Sequence, residues 1–307
     1  MTTETTAPAS TKIVLGHNQY GKAEVHVVKV TRDTARHSIE DLSVTSELHG
    51  DFVAAHIDGD NAHVVPTDTQ KNTIFAFSRD GVNSPEEFLT RLGNHFTGEF
   101  EWVSGGRWAA QQYFWDRIND HDHAFSRNKS EVRTAVLEIA ADGSKSIVAG
   151  LEDLTVLKST ASEFTGFPVD KYTTLAEATD RILATDVTAR WRYNADAIEA
   201  GIDYNAVYAS VRERLLEPFA NTHSTALQQT MYYMGQAVLE AHPEIAEIKF
   251  SLPNKHHFLV DLDHFGQDNP NVVFYAADRP YGLIEATITR EGTEANHPIW
   301  TNIPAFI

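Results

Sequence analysis

The chain has 307 residues, of which 42% are hydrophobic and 22% are charged, and its formal net charge is −18 at pH 7. These values are ordinary for a folded protein of about two domains, and no apolar run approaches the roughly 18 residues that span a bilayer. The acidic charge argues against nucleic acid or an anionic membrane as a partner, and the absence of cysteine excludes disulfides and thiolate catalysis and favours a cytoplasmic location.

The first half of the chain is predicted to run strands, helices, strands. Residues 1–11 are small and polar and are expected to form a disordered tail. Alternating apolar residues predict strands over Tyr20–Val30 (bulged at Val28), Leu42–Leu48, Trp102–Ile118 and Val132–Ala140. One helix is predicted to be capped by Thr67 and to end at Gly81, and a second to be capped by Ser84. A turn at Asp142-Gly143 marks the predicted domain boundary.

The second half is predicted to repeat this order. Strand patterns cover Ser146–Leu157, Val187–Tyr193, Ile245–Leu252, His257–Leu262 and Val272–Ala276. Helix patterns cover Thr174 (the start of a capping box) to Leu183, Tyr204–Asn221 and Ser224–Ala241. Strands with helices packed on one face are an α+β arrangement. We therefore expect two modules, over residues 12–142 and 143–307.

The segment from Ser251 to Phe258 is the densest polar sequence at a predicted strand end. Alternation places Asn254 and His256 on one face and Lys255 and His257 on the other. Asn254 would supply a fixed hydrogen-bond donor beside an imidazole that exchanges protons near neutral pH. The alternative is an ordinary polar strand end at a sheet rim.

Three candidates lie at predicted element starts or in a loop. Lys22 begins the first strand and is either a solvated charge or, if buried, a base of lowered pKa. Thr67 and Asp68 begin a helix, where they are either caps or part of an anion site. Phe164 lies in a turn-rich loop, where it either covers the core or stacks on a flat heterocycle.

Two further candidates lie on predicted helices. Arg181 is expected in mid-helix, where it is exposed unless its planar fork binds a planar anion. Gln228 is expected in the first turns of a helix, where its amide could match an imide-like edge. The pairs His121/His123 and His256/His257 could bind zinc in principle, but no H-E-x-x-H motif and no nucleotide-binding glycine loop occurs. No metal and no cofactor is therefore expected.

Several segments in the same chain resemble the urate oxidase (uricase) family, its actinobacterial members in particular. They are Tyr20-Gly21-Lys22, Thr67–Thr73 (TDTQKNT), Leu154–Thr160 (LTVLKST), Gly166-Phe167, Asp170–Leu175 (DKYTTL), Asp180–Val187 (DRILATDV) and Ser251–His256 (SLPNKH). The resemblance implies a tunnelling fold, a homotetramer with sites between subunits, and oxidation of urate by O2 to 5-hydroxyisourate and hydrogen peroxide without cofactor or metal.

The resemblance also implies a role for each candidate residue. Lys22, Thr67 and His256 would relay protons. Arg181 and Gln228 would grip the polar edges of the purine, Phe164 would stack on its face, and Asn254 would hold O2 or water. Backbone N–H groups of Asp68 and Leu227 would bind the substrate. Lys255 and His257 are then not candidates. Two alternatives stay open, a zinc-dependent purine or pterin enzyme of the same fold and a non-catalytic purine-binding assembly.

Overall fold

The computed structural model describes residues 13–293 and 296–303, so the predicted tail over residues 1–11 lies outside the described residues. The strands are β1 Tyr20–Thr31, β2 Ser38–Gly50, β3 Val103–Arg117, β4 Phe125–Ile139, β5 Lys145–Lys158, β6 Leu183–Tyr193, β7 Ile245–Leu259 and β8 Phe274–Thr289. The α-helices are α1 Val53–Ile57, α2 Thr67–Arg79, α3 Pro85–Glu99, α4 Ala195–Ala200, α5 Tyr204–Asn221 and α6 Leu227–Ala241. Among the described residues, no helix combines the length and the apolar character needed to cross a membrane.

The strands form one antiparallel sheet in which each strand pairs with the next in the sequence, from β1 to β8. Helices α1–α3 follow β2, and helices α4–α6 follow β6, so the two halves share one order of elements. The turn between β4 and β5 joins them, and Gly143 takes a positive φ of 85° there. The predicted α+β class is confirmed, and the module boundary at residues 142 and 143 stays a prediction.

The main core lies between the sheet and the longer helices. Trp108 and Trp191 from the sheet and Phe88 and Phe96 from α3 are fully buried in it, and burying one such side chain contributes about 1.5–3 kcal/mol. Gly93 allows α3 to approach the sheet closely, since a Cβ there would lie 2.7 Å from Ile139 Cδ1. The helices are therefore fixed on the sheet, and their ends become rigid positions for functional groups.

Two predicted features of the first half are placed differently in the structure. Pro66, not Thr67, is the N-cap of α2, and Thr67 is its first helical residue. The bulge of β1 lies between Lys22 and Val25 rather than at Val28. The cap at Ser84 is confirmed, since its side chain accepts a hydrogen bond from the backbone N–H of Glu87 at 3.2 Å.

The helix predicted from Thr174 to Leu183 is wrong. The chain forms a loop there, and Leu183 begins β6. Glu177, the expected capping residue, instead accepts a hydrogen bond from Gly166 N–H at 2.8 Å. Contacts within the loop therefore replace the capping box, and Arg181 lies in the loop rather than in mid-helix.

The remaining strand and helix predictions differ mainly in length. The helix over Tyr204–Asn221 is confirmed as α5, whereas α6 begins at Leu227 rather than Ser224. The strands predicted on either side of Pro253 are one strand, β7, and β8 extends well beyond the predicted Val272–Ala276. Pro253 lacks an N–H, yet its carbonyl accepts a hydrogen bond from Thr185 Oγ1 at 2.8 Å, so the strand continues through it.

Candidate active site

A cavity of about 300 Å³ lies in the second half of the chain, where the loop before β6, the start of α6 and the middle of β7 meet. Six of the nine predicted site residues line it: Phe164, Arg181, Leu227, Gln228, Asn254 and His256. The volume lies at the small end of the range that ligand sites occupy. These six residues are scattered over more than 90 positions of sequence, so the fold itself brings them together.

Backbone hydrogen bonds hold the loop that carries Phe164 and Arg181. Phe164 and Ala178 exchange two of them, at 2.8 and 3.1 Å, and Arg181 N–H donates to Ser162 O at 2.8 Å. Glu163 N–H donates to Ser224 O, also at 2.8 Å, immediately before α6. The loop is therefore hydrogen-bonded to the segment that begins α6, and the side chains of Phe164 and Arg181 lie beside Leu227 and Gln228.

Arg181 is a half-buried cation without an acidic partner. Its guanidinium carbon lies 5.1 Å from the centre of the Phe164 ring, and within the described part of the chain it forms no ion pair. Its Nε is buried without a hydrogen-bond partner. Burial lowers the pKa of Arg181, but arginine remains charged in proteins. An unpaired guanidinium beside an aromatic ring fits a planar anion.

The start of α6 presents backbone donors without a side-chain cap. Its N-cap is Ala226, which has no acceptor to offer, whereas Ser, Thr, Asp or Asn usually satisfies the first N–H groups of a helix. Gln229 bonds back to the Thr225 N–H at 3.1 Å and hydroxyl at 2.8 Å, outside the helix. The N–H groups of Leu227 and Gln228 are therefore left for a ligand.

His256 is the titratable group on the β7 side of the cavity. Burial lowers its pKa, and the nearby positive charge of Arg181 and the imidazole of His257 lower it further. Its ring stacks against Phe258 at 5.7 Å. His256 is therefore neutral at pH 7 and able to accept a proton.

The structure adds His257 to the cavity lining, which sequence reasoning had placed on the opposite face with Lys255. The pairing of β7 with β8 shifts register between Asn254 and His256, so simple alternation fails from that point. Lys255 does turn away, and its Nζ lies 2.6 Å from Asp186 Oδ2. Leu175 and Ile284 also line the cavity, and no polar motif in the sequence could have identified them.

Lys22, Thr67 and Asp68 do not line this cavity, because all three belong to the first half. Lys22 is on β1, and Thr67 and Asp68 begin α2. Helix α2 packs against β1, and the pKa of Asp68 is lowered mainly by Lys71 and also by the charge of Lys22. The structure therefore gives two groups of predicted site residues in one chain.

Among the described residues, no group of three or more His, Asp or Glu side chains is arranged to hold a metal ion. The rings of His121 and His123 lie edge to face, with their centres 4.4 Å apart.

Comparisons with known proteins agree with one another. A family model described as uricase matches residues 18–138 and 147–285. The uricase of Arthrobacter globiformis is 73% identical over 306 residues, which cover 100% of both chains. The crystal structure of uricase from Arthrobacter globiformis aligns with a TM-score of 0.90 at 76% identity, over 95% of this chain and 100% of that one. A uricase structure from Bacillus fastidious aligns with a TM-score of 0.75 at 26% identity, over 92% and 94%.

Proposed function

The chain belongs to the uricase family, has the tunnelling fold and oxidises urate with O2, and we propose that its nine candidate residues form one composite site shared by two copies of the chain. The observation that carries the sharing is that Lys22, Thr67 and Asp68 lie outside the cavity that the other six candidates line. The unpaired, half-buried Arg181 beside Phe164 supports that cavity as the binding site of a planar anion. Neither the zinc-dependent enzyme nor the non-catalytic assembly has support from these relatives. In our proposal the reaction needs no cofactor and no metal.

Urate binds in the cavity as a planar anion. The planar guanidinium of Arg181 donates hydrogen bonds to one polar edge of urate, and the Gln228 amide hydrogen-bonds the opposite edge. The Leu227 N–H at the uncapped start of α6 donates to a substrate oxygen or nitrogen. Phe164 contacts the ring by offset stacking. These contacts fix the ring plane and leave its reacting face toward Asn254.

The chemistry consists of proton transfer and electron transfer to O2. Loss of a second proton from the urate anion, through His256 and through Thr67 to Lys22, gives an electron-rich dianion that can reduce O2. Asn254 holds O2 and then water above the ring. Overall, urate, O2 and H2O give 5-hydroxyisourate and H2O2, which balances all atoms. Positioning and proton transfer are the contributions required of the protein.

A second copy of the chain supplies Lys22, Thr67 and Asp68, because these residues lie outside the cavity of their own chain. Apolar side chains beside the cavity support a covering partner: Phe258, Leu259 and Tyr275 are 49%, 52% and 63% exposed, and such a patch commonly marks an interface. Two-fold pairing would complete two sites at once. The homotetramer, its cytoplasmic location and the two-module division at residues 142 and 143 belong to this proposal.

Complementation between two inactive variants tests the shared site. Lys22→Met and Arg181→Met are each expected to be nearly inactive alone at low urate. In a mixed dimer, one site carries both changes and the other carries neither. Random 1:1 co-assembly should therefore restore about a quarter of the wild-type activity, since half of the pairs are mixed and half of their sites are intact.

The control is co-assembly of Lys22→Met with a second variant of the same group, Thr67→Val, which leaves no intact site in any pair. Oligomeric state is measured for each sample by light scattering. Recovery in the first mixture alone supports a site shared between chains. Absence of recovery in verified mixed assemblies would place each site within one chain and overturn the proposal.

A further inference from the structure

The part of β7 that carries Asn254 and His256 has weak support from the sheet itself. On one side Asn254 pairs with Thr185 of β6, close to the beginning of that strand. On the other side Asn254 pairs with Gly282, whereas His256 pairs with Ala277, so extra residues of β8 bulge out between these two pairs. The register of the described strands gives Lys255 no opposite residue on either neighbour. Backbone pairing alone therefore does not fix this segment.

Side chains from the neighbouring strands supply the missing support. Thr185, which is fully buried, donates its Oγ1 hydrogen to Pro253 O at 2.8 Å, directly before Asn254. Lys255 Nζ lies 2.6 Å from Asp186 Oδ2 on β6, and Asp186 in turn accepts a hydrogen bond from Thr155 Oγ1 on β5. The backbone is thus held just before and just after Asn254.

The ion pair acts on the face of β7 away from the cavity. Asn254 and His256 line the cavity, whereas Lys255 does not and instead pairs with Asp186 of β6. The ion pair of Lys255 therefore constrains Asn254 and His256 through the backbone, without contact with the substrate.

Lys255 also neutralises a group of carboxylates. The pKa of Asp153 is raised mainly by burial and further by Glu152 and Asp186, and Lys255 opposes this rise. Without the ammonium, Asp153 and Asp186 would repel one another beside β7. At 34% and 30% exposure, Lys255 and Asp186 are partly shielded from solvent, so their attraction is less screened than that of a surface pair.

We propose that Asp186 and Lys255 are positioning residues that hold Asn254 and His256 in place for the O2 and proton-transfer steps, an inference that rests on the proposed roles of those two residues. In the proposed site urate is bound by residues of other elements, namely the loop before β6 and the start of α6. Loss of the ion pair should therefore impair use of O2 much more than binding of urate.

Steady-state kinetics with urate and O2 varied separately test the inference. In Lys255→Met, kcat/KM for O2 should fall about three- to tenfold, since small displacements of a reacting group are costly. The Kd of urate, measured without O2 by calorimetry, should stay within about twofold. Lys255→Arg should retain most of the activity. Asp186→Gln combined with Lys255→Met should be little worse than Lys255→Met alone, because both changes act on the same ion pair.

The matched control is Lys29→Met, which breaks a cross-strand ion pair with Glu40 (3.0 Å, both side chains 24% exposed). Lys29 is far from the cavity residues in sequence, so this change should leave kcat/KM for O2 and the Kd of urate unchanged. An unchanged kcat/KM for O2 in Lys255→Met, or an equal loss of urate binding, would overturn the positioning role. Asn254→Ala and His256→Gln distinguish a failure of the proposed site roles from a failure of the positioning role. If neither variant lowers turnover, the proposed site roles are wrong. If both lower turnover while Lys255→Met has no effect, only the positioning role of Lys255 is wrong.

Discussion

The two groups of candidate residues differ in how completely one chain builds their surroundings. The group in the second half converges on a cavity of about 300 Å³ from a loop, a helix start and a strand. The group in the first half, formed by Lys22, Thr67 and Asp68, lies at the start of β1 and of α2, where Asp68 is 68% exposed and paired with Lys71. In our proposal the second-half group binds urate within one chain, and the first-half group completes the site from a facing copy.

This difference predicts that substrate affinity and turnover depend on different residues. Residues that already enclose a cavity can determine substrate affinity within one chain. Residues that are completed only by assembly can contribute to the reaction only after two chains meet. Changes at Lys22 or Thr67 should therefore affect turnover, and changes at Arg181 or Gln228 should affect binding first.

The largest expected effect is that of Lys22→Met on turnover. If Lys22 relays a proton through Thr67, its loss should lower kcat about 100-fold or more, as is typical for a proton-transfer group. Anaerobic binding of urate should change little, and calorimetry measures it directly. Lys29→Met on the same strand is the control. A loss of urate binding as large as the loss of turnover would remove the distinction between the two groups.

A smaller effect is expected for Arg181→Met, and it should appear in affinity. Hydrogen bonds to a charged group contribute about 1.5–3 kcal/mol, so the Kd of urate should rise about 10- to 100-fold. The same anaerobic titration measures it, with Arg214→Met as the control, since Arg214 pairs with Glu217 on the exposed face of α5. If Arg181→Met binds urate normally, the cavity is not the purine site.

The smallest effect concerns the pKa of His256. Burial lowers it most, and the charge of Arg181 lowers it further. Arg181→Met should therefore raise this pKa toward its ordinary value without reaching it, and the imidazole should protonate at a higher pH than in the parent. NMR titration of the His256 ring, assigned with His256→Gln, follows this change. A pKa that stays the same or falls would mean that the two side chains do not face each other.

Local signals predicted most of the helices and strands. The Ser84 cap and the bounds of α5 follow from residues adjacent in sequence. The helix predicted from Thr174 failed because Glu177 bonds to Gly166, a residue whose position depends on the folded loop. His257 lies at the cavity, which alternation alone does not indicate, because the register shift between Asn254 and His256 depends on the partner strand. Each error concerns a contact that a linear pattern does not contain.

The sequence by itself determined the α+β class, the residue types suited to proton transfer and purine recognition, and the resemblance that named their roles. Only the tertiary structure decided which of those residues share a cavity, that Arg181 has no acidic partner among the described residues, and that Lys255 pairs with Asp186 beside the site. The reason is physical: composition and periodicity report local preference, whereas unpaired charge and cavity shape arise from elements distant in sequence.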